Sequence, residues 1–294
     1  MNPAQLRAFH AVATEGSFTA AARRLGVTQP TISSQVKALE DAYGVRLFER
    51  LGRGVLPTET GRALHDVTRR LYSLEEEARE LLDDAQELRT GQIKVGADGP
   101  HHVIPLLAAF VSRFPALDVS LEMGNAAHVM RAVRDSRIDV AVLAQPDDDP
   151  RLHAITLATS ALVLFVPVDH PWAGRATVSL ASVADQRMIL REAASATRRI
   201  FQQALDRAGV RPQSVMQIES REAVREAVAA GLGIGVVSRA ELDPDPRLHA
   251  LEVDDAALEI TEYVVCLQER RRLRVVRAFL EVVESFLGAA DARV

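Results

Sequence analysis

The sequence has little cysteine, few aromatic residues and no long apolar segment. One cysteine, Cys266, excludes an internal disulfide framework and a CxxC metal or redox site, which favours a reducing cytoplasm. Aromatic residues make up 4% of the 294 residues, and the wholly apolar run Ala161–Val166 is far shorter than the roughly 20 residues that span a bilayer. The first sixteen residues are amphipathic and lack the apolar core of a signal peptide, so we expect no export.

What is present is the composition of an average globular protein. Apolar residues make up 48% and charged residues 26%, which excludes a disordered chain, and the length predicts more than one domain. The net charge of −5 is unevenly distributed. Residues 1–57 carry seven Lys/Arg against four Asp/Glu, residues 58–90 carry five against nine, and the remainder carries 23 against 27. A basic segment followed by acidic ones favours phosphate contacts by the first segment alone.

The first segment predicts three short helices. Apolar residues recur at helical spacing up to Glu15, Ser17 suits the N-cap of a second helix, and Thr28 starts a third with Pro30 in its first turn. Gly26 suits the tight turn between the last two, which together form a helix-turn-helix. The third helix has a polar face that can bond to base edges or phosphates, and this face comprises Gln29, Thr31, Ser33, Ser34, Gln35 and Lys37. A solvated surface helix is the alternative.

Residues 45–55, VRLFERLGRGV, favour the DNA-binding interpretation. They predict a short β-wing in which Arg50 and Arg53 can reach a backbone phosphate or a minor groove. Residues 1–57 are therefore expected to form a winged helix-turn-helix domain whose partner is double-stranded DNA.

Residues 58–89 predict a long linker helix. The stretch Thr58–Leu88 has no proline and, after Gly61, no glycine, and its apolar residues recur in steps of three and four. Such a stripe requires a partner helix, and a second copy of the chain would supply it, which predicts a homodimer or homotetramer and a dyad-symmetric operator. The alternative is a helix that lies on its own C-terminal domain.

From residue 90 to residue 294 strands and helices alternate. Strands are predicted at Ile93–Ala97, Val119–Met123, Val140–Leu143, Met188–Leu190, Val215–Ile218 and Ile234–Val237, with helices at Val103–Phe114, Val129–Arg134, Ala196–Ala208 and Arg221–Ala230. The apolar Leu162–Pro167 and the strand Glu262–Leu267 would cross between two lobes. These patterns predict an α/β multi-domain chain with a bilobal periplasmic-binding-protein-like effector domain. Lobe I is expected at about 90–162 and 268–294, and lobe II at about 163–267.

Polar residues that follow the strands predict the effector site, because ligands of open α/β sheets lie beyond the carboxyl ends of the strands. From the first lobe these are Asp98, Gly99, His101, His102, Asn125, Ala126 and Ala144. From the second lobe they are Arg191, Ser195, Thr197, Arg198, Ser220, Arg221 and Glu222. The arginines and helix N-termini suit an anion, whereas Asp98 and Glu222 suit an ammonium. Ordinary surface ion pairs are the alternative for each charge.

The segment GSFTAAARRLGVTQPTISSQVKALE, followed by LFER and PTETG, resembles the DNA-binding domain of LysR-type transcriptional regulators. The resemblance implies base or backbone contacts from Gln29, Thr31, Ser33, Ser34 and Lys37, and wing contacts from Arg50 and Arg53. The expected DNA-binding residues also include Ser17, Thr28 and Pro30. The rest of the chain, AAGLGIGVVS included, resembles the LysR effector-binding domain, which implies an oligomeric cytoplasmic regulator, with RNA polymerase as a candidate partner. Lobe closure that changes the angle between the DNA-binding heads is the implied mechanism.

A narrower resemblance concerns the ligand. GADGPHHVIPLLAAF, MGNAAHV and ESREAVREAVAAGLGIGVVSRAEL are similar to the LysR subgroup associated with 2-aminoethylphosphonate catabolism. This implies that zwitterion, or a related phosphonate, as the effector. Two residues depart from the subgroup, since Ser is expected at Ala126 and Gly at Ala194.

Catalysis and metal binding have no support in the sequence. His101 and His102 are adjacent and so diverge in direction, Ser195 lacks a G-x-S-x-G elbow, and Cys266 lies in an apolar strand. We therefore expect no enzyme activity, no cofactor and no metal. The alternatives are a small-molecule-binding protein or enzyme that carries a DNA-binding head, a LysR-type regulator of an unrelated pathway, and an architectural DNA binder. Turnover of a bound metabolite would indicate an enzyme. Weak DNA sequence preference without a saturable ligand would indicate an architectural DNA binder.

Overall fold

The computed structural model describes residues 1–51, 54–82, 91–144, 146 and 148–291. The N-terminal domain comprises α1 (Pro3–Glu15), α2 (Phe18–Leu25), α3 (Gln29–Tyr43), β1 (Phe48–Leu51) and β2 (Gly54–Pro57). Phe9 of α1 and Ile32 and Val36 of α3 are buried in one apolar cluster. The antiparallel pair β1–β2 forms the wing, so the three helices and the wing are confirmed.

Short polar caps and one left-handed glycine explain the sharp turn between α2 and α3. The hydroxyl of Ser17 accepts a bond from the Ala20 N–H, and the hydroxyl of Thr28 accepts one from the Thr31 N–H. Gly26 ends α2 at φ 67°, a conformation that side chains disfavour. These residues fix the two ends of α2 and the start of α3.

The linker helix α4 (Glu59–Leu82) has two different faces. Val67, Leu71 and Leu74 are 50%, 45% and 60% exposed, although they are large and apolar. On another face, Arg69 and Ser73 are buried against the C-terminal domain of the same chain. The polar face of the helix therefore lies on its own domain, whereas its apolar stripe is open and the partner helix stays a prediction. The predicted extension to Leu88 lies outside the described residues.

The C-terminal domain alternates strands and helices, as predicted. Its helices are α5 (Pro100–Arg113), α6 (Ala126–Arg134), α7 (Ala196–Ala208), α8 (Arg221–Ala229) and α9 (Arg274–Asp291). Its strands are β3 (Gln92–Ala97), β4 (Asp118–Met123), β5 (Val140–Ala144), β6 (Leu152–Pro167), β7 (Thr177–Val178), β8 (Arg187–Leu190), β9 (Ser214–Gln217), β10 (Ile234–Ser238), β11 (Leu248–Val253) and β12 (Glu259–Leu267). Short 3-10 helices cover Leu180–Asp185, Arg239–Glu241 and Gln268–Arg270.

The strand order β4-β3-β5-β12-β6-β10-β8-β9 joins two parallel halves through antiparallel strands. The strands β4, β3 and β5 run parallel in lobe I, and β10, β8 and β9 run parallel in lobe II. The sixteen-residue β6 pairs with β12 along its first part and with β10 along its second, so it crosses between the lobes. Each lobe has its own apolar core, around Phe110 and Phe279 in lobe I and around Phe201 and Trp172 in lobe II.

Several predicted boundaries differ from the structure. The helix expected from Val103 begins at Pro100, because proline suits the first helical turn. The strand expected from Leu162 begins at Leu152. Its first part is only half-buried and has no continuous apolar run, so the apolar pattern of the sequence does not reveal it. Lobe II was expected to extend to residue 267. Residues 262–265 of β12 pair with β5 of lobe I, so the register favours a lobe boundary before β12. No helix within the described ranges is long and apolar enough to cross a membrane.

Candidate DNA interface and effector cleft

The exposed face of α3 contains most of the predicted DNA-binding residues. Gln29, Pro30, Thr31, Ser34 and Lys37 are exposed, and Ser33 is half-buried. Ser17 and Thr28 instead cap helices, so their hydroxyl oxygens already accept backbone bonds. The face is thus polar, with a single positive charge.

The polar side chains of α3 are bonded to one another along the helix. Gln29 Nε2 donates to Ser33 Oγ at 2.9 Å, and Ser34 Oγ donates to the Thr31 carbonyl at 2.9 Å. Because these bonds are exposed, the same groups are also able to bond to the edges of bases. In the wing, the backbone of Arg50 pairs with Val55, whereas Arg53 lies outside the described residues.

A small polar cavity lies between the two lobes. It is lined by Asp98, Asn125, Ala126, Arg191, Ser195, Ala196, Thr197, Arg221 and Ile260. Seven of these nine residues were predicted from the sequence. The cavity volume is about 10 Å³, which is the space of a single water molecule. The lobes are therefore closed on each other at this point.

Strand ends and helix starts bring these side chains together. Asp98 follows β3, and Asn125 follows β4 and caps α6 by accepting the His128 N–H at 2.9 Å. Ser195 is the N-cap residue of α7, but its hydroxyl makes no capping bond, and Thr197 lies in the first turn. Arg221 begins α8, whose N-cap is Ser220. The buried hydroxyls of Ser195 and Thr197 thus lie at a positive helix end, which suits an anion.

Three carboxyl groups meet beside this cavity. Asp98 accepts a bond from the Ala144 N–H at 3.1 Å, Glu241 lies 3.0 Å from Arg221 Nη1, and Glu262 lies beside Ala144 in the sheet. Burial is the first cause that raises the pKa of all three. The charges of Asp98 and Glu241 help to raise the pKa of Glu262 to about 8. Glu262 therefore holds a proton at neutral pH.

Gly99 allows the two lobes to approach. A Cβ at this position would overlap Arg221 Nη1 and would lie 2.8 Å from Glu241 Oε1. Glycine is thus needed for this close contact rather than for an unusual backbone angle, since φ is −154°.

The other predicted effector residues lie around this centre. His101 is 3.6 Å from Asp243, and burial lowers the pKa of the neighbouring His102. Arg198 donates to the Arg191 carbonyl at 2.6 Å and to Gln217 at 2.7 Å, so it supports the site from behind. Glu222 lines a second, larger cavity and not the polar one.

The sequence interpretation missed Glu241, Glu262 and Ile260. Glu262 had a signal, because an ionisable residue directly precedes the apolar stretch that ends at Leu267. No feature of the sequence indicates Glu241, because it follows β10 in a polar segment, where a charged residue is ordinarily expected at the surface.

The winged head, the linker helix and the two-lobed cleft domain together define a DNA-binding regulator with a ligand sensor. A model described as "Bacterial regulatory helix-turn-helix protein, lysR family" matches residues 3–62, and one described as "LysR substrate binding domain" matches residues 86–287. The RuBisCO operon transcriptional regulator of Allochromatium vinosum is 32% identical over 286 residues, which are 96% of this chain and 95% of that protein. The chain belongs to the LysR family and is a LysR-type DNA-binding transcriptional regulator.

Solved structures share the fold. A full-length OxyR from Pseudomonas aeruginosa, in which one cysteine is replaced by aspartate, has a TM-score of 0.79 at 23% identity, and the match covers 96% of this chain and 94% of that one. The regulatory domain of CcmR from Synechocystis PCC6803, in complex with 2-PG, has a TM-score of 0.62 at 24% identity and covers 67% of this chain and 97% of that one.

Proposed function

We propose that the sensor responds to a small metabolite that carries both an anionic and a cationic group. The observation behind this proposal is that groups suited to an anion and groups suited to an ammonium lie together at the polar cavity. Ser195, Thr197 and the start of α7 suit an anion, whereas Asp98 and Glu262 suit an ammonium group. An ammonium group beside these carboxyls would favour their ionised forms and so recover part of the cost of burying them.

Binding requires the lobes to separate, because a cavity of about 10 Å³ holds no metabolite. The ligand then shifts the regulator only by its differential affinity for the open and closed arrangements. We propose 2-aminoethylphosphonate as the candidate effector, on its charge pattern and the resemblance of residues 96–110 and 123–129. The Allochromatium relative is named for a RuBisCO operon, so a regulator of an unrelated pathway is the alternative.

Calorimetry of the purified chain with 2-aminoethylphosphonate tests this proposal. Phosphate, phosphonoacetate, 2-phosphonoacetaldehyde and 2-PG are the comparison ligands. We expect saturable heat that is strongest with the zwitterion. Arg221→Ala should retain DNA binding and lose the ligand response, whereas Arg239→Ala, which removes an exposed pair with Glu252, should leave both intact. Heat from the simple anions alone would contradict the proposed binding of an ammonium group.

We also propose that α3 and the wing read the operator. Ser34→Ala combined with Arg53→Ala should abolish specific operator binding in a mobility-shift assay and leave the oligomer size unchanged. The matched control is Ser285→Ala combined with Arg113→Ala, two exposed positions of the sensor. Loss of the oligomer in the first variant would overturn the assignment of roles.

The open stripe of α4 is proposed as the dimer interface, with Val67, Leu71 and Leu74 packed against a second copy. Leu74→Glu should convert the oligomer to a monomer by light scattering, because a charge in an apolar seam is costly. Val111→Glu, at an exposed apolar position of α5, is the control. An unchanged oligomer in Leu74→Glu would exclude this stripe.

A further inference from the structure

A second cavity, larger and mostly apolar, adjoins the polar one. Its volume is about 330 Å³, at the lower end of the range for small-molecule sites, which is on the order of 300–1,000 Å³. Its apolar walls are Phe165, Val224, Val236, Val237 and Leu242. We call it the apolar chamber.

A glycine leaves room for the aromatic side chain in the wall of the apolar chamber. Phe165 of β6 pairs with Gly235 of β10, and a Cβ at Gly235 would overlap the Phe165 ring. The ring thus occupies the space above Gly235, where any other residue would place its side chain.

Polar atoms without partners surround the apolar chamber. Glu241 is 7% exposed and lines the chamber, and its Oε2 accepts no hydrogen bond. Arg221 Nη1 and Arg225 Nε are buried donors without hydrogen-bond acceptors, although the former lies 3.0 Å from Glu241 Oε1 in an ion pair. His101 Nδ1 is also buried and unbonded. Groups of this kind are costly to leave unpaired, so their concentration at one cavity indicates a bound partner.

The chemistry of these atoms specifies the ligand. An acceptor on Glu241 requires a donor, and a carboxylate there favours an ammonium group. Donors on Arg221 and Arg225 favour a carboxylate, and the apolar walls favour a hydrocarbon side chain. We infer that the apolar chamber binds a small molecule with a zwitterionic head and an apolar body, which is the chemistry of an apolar α-amino acid.

The apolar chamber is a site additional to the polar cavity. Arg191, Thr197 and Arg221 line both spaces. A ligand in one space therefore contacts side chains that the other uses, and any effect of one ligand on the affinity of the other must be reciprocal.

Titration calorimetry of the full chain with leucine and phenylalanine tests the inference. Glycine lacks the apolar body, phenylacetate lacks the ammonium group, and phenethylamine lacks the carboxylate. We expect saturable binding of leucine or phenylalanine, and at least tenfold weaker binding of each truncated probe. Equal binding of phenylacetate would overturn the zwitterionic head, and no heat from either amino acid would overturn the site.

Two variants locate the binding. Val237→Phe fills the apolar chamber and should abolish the heat, whereas Val215→Phe, on the exposed edge strand β9, should leave it unchanged. Glu241→Gln keeps the shape and should weaken amino-acid binding at least tenfold. Binding that survives Val237→Phe would place the ligand elsewhere. Separate titrations with 2-aminoethylphosphonate in Val237→Phe distinguish failure of the apolar chamber from failure of the polar cavity.

Discussion

Glu262 provides the most direct test of the electrostatics of the cleft. Its side chain is 4% exposed, and its pKa is raised from 4.5 to about 8 by burial and by the charges of Asp98 and Glu241. The folded chain therefore retains a proton that the unfolded chain releases above pH 4.5. Stability falls as pH rises wherever the folded state binds more protons. We expect Glu262 to lower the free energy of unfolding between pH 4.5 and about 8.

The magnitude follows from the two pKa values. At 1.36 kcal/mol for each pH unit between them, the cost reaches at most about 5 kcal/mol above pH 8. Glu262→Gln has nearly the same shape and does not ionise. The stability of this variant relative to the wild type should thus rise from pH 5 to pH 8 by roughly 3 to 4 kcal/mol, and should be constant well below pH 4.5.

The assay is urea denaturation at pH 5, 6, 7, 8 and 9, followed by the fluorescence of Trp172, the one tryptophan of the chain, which is buried in lobe II. Glu259→Gln, at an exposed position of the same strand, is the control and should show no comparable trend. A difference between Glu262→Gln and wild type that does not change with pH, or that shrinks as pH rises, would refute the reasoning.

Three further changes test other contacts. Gly99→Ala should displace Arg221 and weaken effector binding at least tenfold in calorimetry, with little change in thermal stability. Burial lowers the pKa of His65 to about 4, so the unfolded chain takes up a proton at higher pH than the folded chain, and the free energy of unfolding falls as the pH drops from 6.5 to about 4. His65→Gln should reduce this fall by up to roughly 3 kcal/mol in urea denaturation. Arg69→Met should cost about 1 to 3 kcal/mol in the same assay, because it leaves the Arg134 carbonyl without its buried donor and the half-buried Glu269 without a nearby positive charge.

The DNA-binding head was predictable because its signals are local. Ser17, Gly26 and Thr28 set the helix ends through bonds within four residues, and the apolar spacing of α1 and α3 identifies their buried faces. The chemistry of the recognition face likewise follows from residues that are consecutive in one helix. Nothing distant in sequence is needed to place them.

The effector cleft was only half predictable, and the reason is topological. Asp98, Asn125, Ser195 and Thr197 follow parallel strands, so the strand-end rule brings them together from sequence alone. The carboxyl groups that the sequence did not predict come from elements to which the strand-end rule does not apply. Glu262 lies within an antiparallel strand, so its position at the site depends on the register with β5 and β6, which is a long-range property.

The strand β5 joins the cleft to the linker helix. At one end, the Ala144 N–H donates to Asp98, and just before the other end Asp139 accepts a bond from Arg270 Nη2 at 2.6 Å. The neighbouring Glu269 accepts a bond from Ser73 of α4 through its carbonyl. A five-residue strand buried on both faces moves as a unit, because close-packed interiors deform little. A ligand that pushes Asp98 away from Ala144 would therefore act on the strand that is linked to α4 through Arg270 and the carbonyl of Glu269.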